Sequence, residues 1–376
     1  MMSKVTTVDT QRIKELRLSY LSKPNVWYVY PLWHKVSFTL VAQNYVKYLK
    51  PFYRLYEIDE LAIFSINPHS NPTVILHPYF FMVTRDPKRF IQLKGYYKSV
   101  IGIDVADSDR ISQGAVILAN YSDAIVVPSN WSKQAYIRSG VRVPIYVVPH
   151  GLSEEYYKPP RPSNEPIIRE LRLKKRKNNL IYVLFILMHS GERKGAHLVY
   201  EVLKEIQKMY KNVYLVLKVG WAGGYHFELL KQLRGFYFSK WLSETEMVNL
   251  YDTCDIYTMF SIGGGFEIPA IESLSRGVVV LACDRGSWTD YLPDFLLIPH
   301  GRYVPVFPKA NPLTSIHCGG GYEINVEKAI DKMKDVIENL EEYKAKVREY
   351  WEKVKHRWTW KAVSLKLKEV IDKYTQ

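Results

Sequence analysis

Short, almost wholly apolar runs recur along this chain, with amphipathic segments between them. They lie at residues 26 to 33, 73 to 81 (TVILHPYFF), 99 to 105 (SVIGIDV), 123 to 129 (DAIVVPS) and 144 to 151 (PIYVVPHG). A second series follows at 180 to 188 (LIYVLFILM), at 212 to 220 (NVYLVLKVG), and in DIYTMF and VVVLACD. A strand that is apolar on both sides cannot face water, so it belongs in a parallel sheet covered by helices on both faces. Segments such as FTLVAQNYVKYL and AHLVYEVLKEIQKMY have the helical period. The pattern is interrupted at residues 159 to 178, PPRPSNEPIIRELRLKKRKN, a stretch of proline and charge. An α/β chain of two Rossmann-like domains, with parallel sheets facing across a cleft, is the expected architecture.

The length of 376 residues agrees, since it exceeds what one hydrophobic core usually serves. The domains are expected at 1–160 and 179–356, with a linker at 161–178. The tail from Val326 to Tyr374 reads as helical with a pause at HRWTW, and residues 357–376 are expected to form a last helix.

Three cysteines, Cys254, Cys283 and Cys318, lie far apart in no zinc spacing, and an odd count makes no disulfide framework. The first thirty residues lack the unbroken apolar core of a signal peptide, and no window is apolar enough to span a membrane. A cytoplasmic protein, at most peripheral on a membrane, is expected. The net charge of +14 calls for an anionic partner: nucleic acid, an acidic lipid surface or a phosphorylated substrate. The basic residues are scattered apart from RLKKRK at Arg172 to Lys177, and no RNA-binding or zinc-finger signature accompanies them, which disfavours a nucleic-acid reader. The basic, aromatic N-terminal half, with Tyr53, Arg54, Lys88, Arg89 and Lys94, would suit an anionic membrane surface.

Ligands of open parallel sheets bind at the carboxyl ends of the strands. Two such loops carry chemistry. In MHSGERKG (188 to 195), Arg193 and Lys194 stand with Gly191 and Gly195 at the start of a helix, a place that favours a diphosphate; a solvated basic turn is the alternative. In GGGFEIPAIES (263 to 273), Gly264 and Gly265 allow close backbone approach, while Glu267 and Glu272 can accept from vicinal hydroxyls. Together they suit a nucleotide-sugar.

Four stretches, VPSNWSKQAYIRSGVRVPIYVVPHGL, ERKGAHLVYEVLKEI, GGGFEIPAIESLSRGVVVLACDRGSWTDYL and RWTWKAVSLKLKEVI, resemble in order the hallmarks of GT-B-fold glycosyltransferases, specifically retaining glycosyltransferase family 4, the glycosyl transferases group 1. The resemblance runs from about residue 99 to the end. It implies transfer of a sugar, as a hexosyltransferase, from a nucleotide-diphosphate sugar with retention of configuration, without a metal and with no cofactor beyond that co-substrate. The acceptor, whether glycan, lipid or protein, is open.

The resemblance also implies that Lys194 holds the donor diphosphate, that Glu272 binds its ribose, and that the Gly265-Phe266-Glu267 backbone lies against phosphate or sugar. Gly286 and Ser287 match a further donor-facing turn, and the last helix would cross back to the N-terminal domain. Three positions depart from the pattern: Gly264 where a glutamate is usual, His189 where an arginine is usual, and Trp33-His34-Lys35 where a double glycine is frequent. Glu267 and Arg193 are the candidate substitutes. The catalytic candidates are therefore Lys194, Glu267 and Asp107, with Arg193, His189, Gly264, Gly265, Phe266, Glu272, Gly286 and Ser287 on the donor. Asp104, His34 and His77 are candidates for the acceptor or cleft, and His150 is expected to be structural. Asp109 reads as a cap on the following helix. Two rival readings are a GT-B scaffold that has lost catalysis, motivated by Gly264 and His189, and a glycosyltransferase acting on DNA, motivated by the charge.

Overall fold

Each apolar run becomes a strand buried on both faces. In a computed structural model, which describes residues 17–34, 36–66 and 70–376, the chain divides into two compact units. The first comprises the chain up to Asp104, residues 118–126 and residues 364–376; the second comprises residues 105–117 and 127–363.

In the first unit β1 (Asn25–Tyr30), β2 (Arg54–Asp59), β3 (Thr73–Leu76), β4 (Ser99–Ile103) and β5 (Ala124–Val127) lie in the order β2-β1-β3-β4-β5. These neighbouring strands pair in parallel, with Val26 opposite Thr73 and Thr73 opposite Ser99. Strand β2 was not legible: RLYEID is polar because it borders the sheet and is only partly buried. The end of the last helix, Trp360–Thr375, returns to this unit. Tyr53 donates to Asp372 at 2.6 Å, while Thr73 and Ser99 each donate to the Tyr374 carbonyl at 2.9 Å.

The second unit begins its strands with β6 (Ile145–Val147) and then builds a six-stranded sheet. Its members are β7 (Ile181–Leu187), β8 (Val213–Val219), β9 (Gly235–Phe238), β10 (Ile256–Met259), β11 (Val279–Cys283) and β12 (Leu297–Ile298). They run parallel in the order β12-β11-β10-β7-β8-β9. Six of the seven residues of β7 are buried, each worth about 1.5–3 kcal/mol when its side chain is a full-sized apolar one. From β7 the chain winds outward to β9, and from β10 it winds the other way to β12. The gap between β7 and β10 is therefore the topological switch point, where a ligand crevice opens at the strands' carboxyl ends.

An antiparallel hairpin, β13 (His300–Pro305) and β14 (Gly320–Ile324), follows the sheet and had no signal in the apolar pattern. The stretch read as a linker at 161–178 holds a helix, Pro166–Asn178, because Ile168 and Leu171 recur at helical spacing and bury one stripe, while proline starts it without loss of a bonded N–H. The tail is helical as expected, over Val326–Glu338, Leu340–Val354 and Trp360–Thr375.

Candidate active site

The loop after β7 and the loop after β10 meet. Ile262 N–H donates to the Arg193 carbonyl at 2.8 Å, and Arg193 Nη1 donates to the Gly263 carbonyl at 2.9 Å. Gly195 starts the helix Ala196–Met209 with φ of +71°, and a β-carbon there would lie 2.1 Å from the Phe260 carbonyl oxygen, so glycine alone fits. Gly265 lies so close to Val105 that a β-carbon on it would be 2.5 Å from the valine's own.

Glu267 ends the glycine loop in the left-handed region, φ +62° and ψ +69°, and the helix Ile268–Ser275 starts directly after it. That backbone turn folds its side chain back over Gly264. A β-carbon at 264 would stand 2.2 Å from Glu267 Oε1, so the Glu267 carboxylate occupies the space that a side chain at 264 would need. Lys194 Nζ grips both carboxylate oxygens, at 2.6 and 2.5 Å, and Arg193 Nη1 lies 3.6 Å from one of them. Position 264 thus lacks a carboxylate in sequence and has one in space.

Asp107 joins the same cluster. Its Oδ1 accepts from Gly265 N–H at 3.0 Å and its Oδ2 lies 3.7 Å from Arg193. Burial pushes this carboxyl up, but Arg193 and Lys194, with the Gly265 N–H, outweigh burial and hold it below the ordinary range. His317 Nδ1 lies 3.4 Å from Asp107 N–H as acceptor, and burial keeps the ring's pKa low. His189 bonds Ser190 Oγ through Nδ1 at 2.9 Å; burial, Arg193 and Lys194 lower its pKa, so it stays neutral where an arginine would carry charge. The four charges, two basic and two acidic, balance. Lys194 is 20% exposed and Arg193 7%, which makes the lysine the cation a ligand can reach.

Glu272 points elsewhere, accepting from Tyr251 OH at 2.7 Å and also bonded by Tyr156. Burial raises its pKa and the two phenols oppose the rise. Phe266 is a buried core ring, its centroid 5.2 Å from that of Tyr291 and 4.9 Å from that of His150 in tilted contacts, so only its backbone is available to a ligand. Gly286 is required by its φ of +143° and by the Trp288 ring 2.3 Å from where a β-carbon would sit. Ser287 is fully buried, its Oγ without a hydrogen-bond partner, so its side chain faces the fold and not an open surface.

The three acceptor-side candidates sit in the first unit. Asp104 is buried and accepts from Phe80 N–H at 2.8 Å, at the start of the helix Tyr79–Val83. His77 is buried with its Nδ1 3.0 Å from Tyr28 OH, and the exposed His34 lies 3.4 Å from Glu60. Lys35 lies outside the described residues. Asp109 does not cap a helix as expected; it accepts from Tyr303 OH at 3.0 Å and from Gly320 N–H at 2.8 Å, fixing the hairpin. Sequence reasoning also missed His317, 210 residues from Asp107, and the Tyr251 and Tyr156 phenols, none of which carries a local motif. Among the described residues no three His, Cys, Asp or Glu side chains come together as a metal site would require.

Residues 167–302 match the Glycosyl transferases group 1 family. Over 361 residues, 93% of this chain and 99% of the relative, the sequence is 34% identical to uncharacterized protein 356 of Sulfolobus islandicus rod-shaped virus 1. Over 206 residues, 51% of this chain and 50% of the relative, it is 32% identical to "Putative glycosyltransferase 45" of Sulfolobus islandicus filamentous virus. In structure it resembles a sucrose-phosphate synthase from Thermosynechococcus elongatus, with TM-score 0.66 and 13% identity over 93% of this chain and 99% of that one, a likeness of fold. The chain belongs to the family of the rod-shaped-virus protein; it has the GT-B fold, and its residues 167–302 match the Glycosyl transferases group 1 family.

Proposed function

We propose that the protein moves a sugar from a nucleotide-diphosphate sugar to an acceptor with retention of configuration, using no metal. The observation that carries this reading is the Glu267 carboxylate held over Gly264 by Lys194 at the switch point. Breaking the anomeric bond leaves negative charge on the diphosphate and positive character on the sugar, so stabilising both ends lowers the barrier. Lys194 has three N–H donors and uses two on Glu267, so the third is free to meet phosphate. The N-termini of the helices Ala196–Met209 and Ile268–Ser275 add partial positive charge on the same side.

Glu267 is the carboxylate assigned to the sugar. Asp107, engaged by Gly265 and faced by Arg193, is assigned to positioning the glycine loop. Glu272 takes the ribose hydroxyls. The base is assigned to a cavity of about 160 Å³ lined by His189, Gly191, Trp221 and Tyr225, whose exposed aromatic rings offer faces for stacking. The acceptor is not specified by these contacts.

A panel of UDP-, GDP-, ADP- and TDP-sugars tests the reading by donor hydrolysis and transfer, with the product's anomeric configuration read by NMR. One donor is expected to be consumed, with chelator making no difference and Lys194→Ala reducing turnover by about 10²–10³. No turnover with any donor, while one of them raises the melting temperature, would establish the inactive scaffold instead.

A further inference from the structure

The densest basic run of the chain is not used by the site above. It lies on the helix Pro166–Asn178, which forms one wall of an open cavity of about 700 Å³; residues 160–163 and the Asp252-Thr253 turn form the others. That volume is within the range of small-molecule sites, roughly 300–1,000 Å³. The cavity shares no lining residue with the Lys194–Glu267 cluster.

Part of the basic run has an ordinary explanation. Lys175, Arg176 and Lys177 stand in the last helical turn, where cations are favoured by the helix dipole. Lys175 is bound to Asp255 at 2.7 Å, Lys174 to Glu170 at 2.6 Å, and Arg161 to Glu155. Arg169, Arg172 and Arg176 remain, at successive spacings of three and four that bring them to one face of the helix, where like charges repel.

Arg172 is the informative one. Its Nε donates to Thr253 Oγ1 at 3.0 Å, its Nη1 to the Arg161 carbonyl at 2.9 Å, and its Nη2 to the Asn249 carbonyl and Oδ1 at 3.1 and 2.9 Å. Every acceptor is neutral. Among the described residues it has no ion pair, although a partly buried guanidinium usually has one. Asp252, the acid lining the cavity, is already committed to Arg276 through bonds of 2.7 and 3.0 Å. The guanidinium is therefore fixed in orientation, its charge met only at a distance by an Asp252 already paired with Arg276, and it keeps one Nη1 hydrogen to donate, beside two exposed arginines free to close on a ligand. Guanidinium forks match phosphate oxygens in pairs, which lysines do not.

We propose that this cavity binds a phosphorylated small molecule through a diphosphate or polyphosphate group held by Arg169, Arg172 and Arg176, at a second anion site separate from the one assigned to the donor. The test does not depend on whether the protein transfers sugar. Inorganic pyrophosphate is titrated calorimetrically into the full chain carrying Lys194→Ala, which removes the cation assigned to the donor. Adding Arg169→Ala and Arg176→Ala should weaken that binding at least tenfold. Both residues are exposed and neither holds Arg172, so circular-dichroism melts of the variants should coincide.

Equal pyrophosphate affinity with and without the two arginines would overturn the proposal. So would arginine-dependent capture by phosphatidylglycerol vesicles, over phosphatidylcholine ones, without any binding of pyrophosphate, because the face would then be a membrane contact and not a small-molecule site.

Discussion

Glu267 Oε1 lies 2.2 Å from the point where a β-carbon on Gly264 would be, so these two positions compete for one volume. Any side chain at 264 must displace the Glu267 carboxylate from Lys194. The displaced group is the end of a flexible side chain, so Gly264→Ala should cost stability little, under about 1.5 kcal/mol, while cutting turnover tenfold or more. Gly264→Glu should also harm. The pair Gly264→Glu with Glu267→Gly should recover activity over Gly264→Glu alone, since it moves the carboxylate to the other chain position and puts glycine at a left-handed φ. Steady-state rates for the three variants check this. A rise in activity from Gly264→Glu alone would mean that Glu267 is not filling the role.

Arg193 is buried between two carboxylates, 3.7 Å from Asp107 and 3.6 Å from Glu267. Arg193→Met should destabilise the protein by about 3–5 kcal/mol at pH 7, because it leaves buried acids with less compensation. The sign with pH follows from Asp107. Its folded pKa is held low, so the stability it contributes is present above its unfolded pKa and is lost as pH falls through the folded value. Without Arg193 the folded pKa rises, so in the variant the folded state takes up a proton on Asp107 at a pH where the wild type keeps it ionised, and that relieves the unpaired buried charge. The penalty of the variant should therefore be smaller at pH 4 than at pH 7 in urea unfolding.

The parallel sheets were legible because their strands are buried on both faces, and that burial excludes polar residues from runs such as LIYVLFILM. Strand β2, RLYEID, and the hairpin of β13 and β14 have exposed positions and so no such constraint. Lys194 and Arg193 could be read from their place in a loop after a strand. The resemblance already offered Glu267 as the substitute for the carboxylate absent at Gly264, but the backbone turn that brings it there could not be read, because nothing in a glutamate announces a positive φ. His317 lies 210 residues from Asp107, and their contact is set by tertiary structure alone.

Tyr251 donates to Glu272 at 2.7 Å from a fully buried position. Tyr251→Phe removes that bond and should cost about 1.5–3 kcal/mol of stability, the range for hydrogen bonds to charged groups. Burial already raises the Glu272 pKa, and losing the phenol raises it further. A protonated Glu272 is a poorer acceptor for ribose hydroxyls. The donor KM should rise several-fold with kcat nearly kept, and the increase should be larger in acid. A fall in kcat at unchanged KM would contradict the assignment of Glu272 to ribose binding.

His150 packs against Phe266 with ring centroids 4.9 Å apart, and its Nδ1 is buried without a partner. Burial lowers its pKa from the usual 6.5 to about 3. The unfolded chain therefore takes up a proton near pH 6.5 that the folded chain refuses until about pH 3, so stability is full above the unfolded pKa and declines through that window as pH falls. His150→Phe keeps the aromatic packing and removes the titrating group. Its melting temperature should match or exceed wild type at every pH, and the difference should widen between pH 6.5 and 4. Parallel curves over that range would show that His150 takes its proton in the folded state as readily as in the unfolded one.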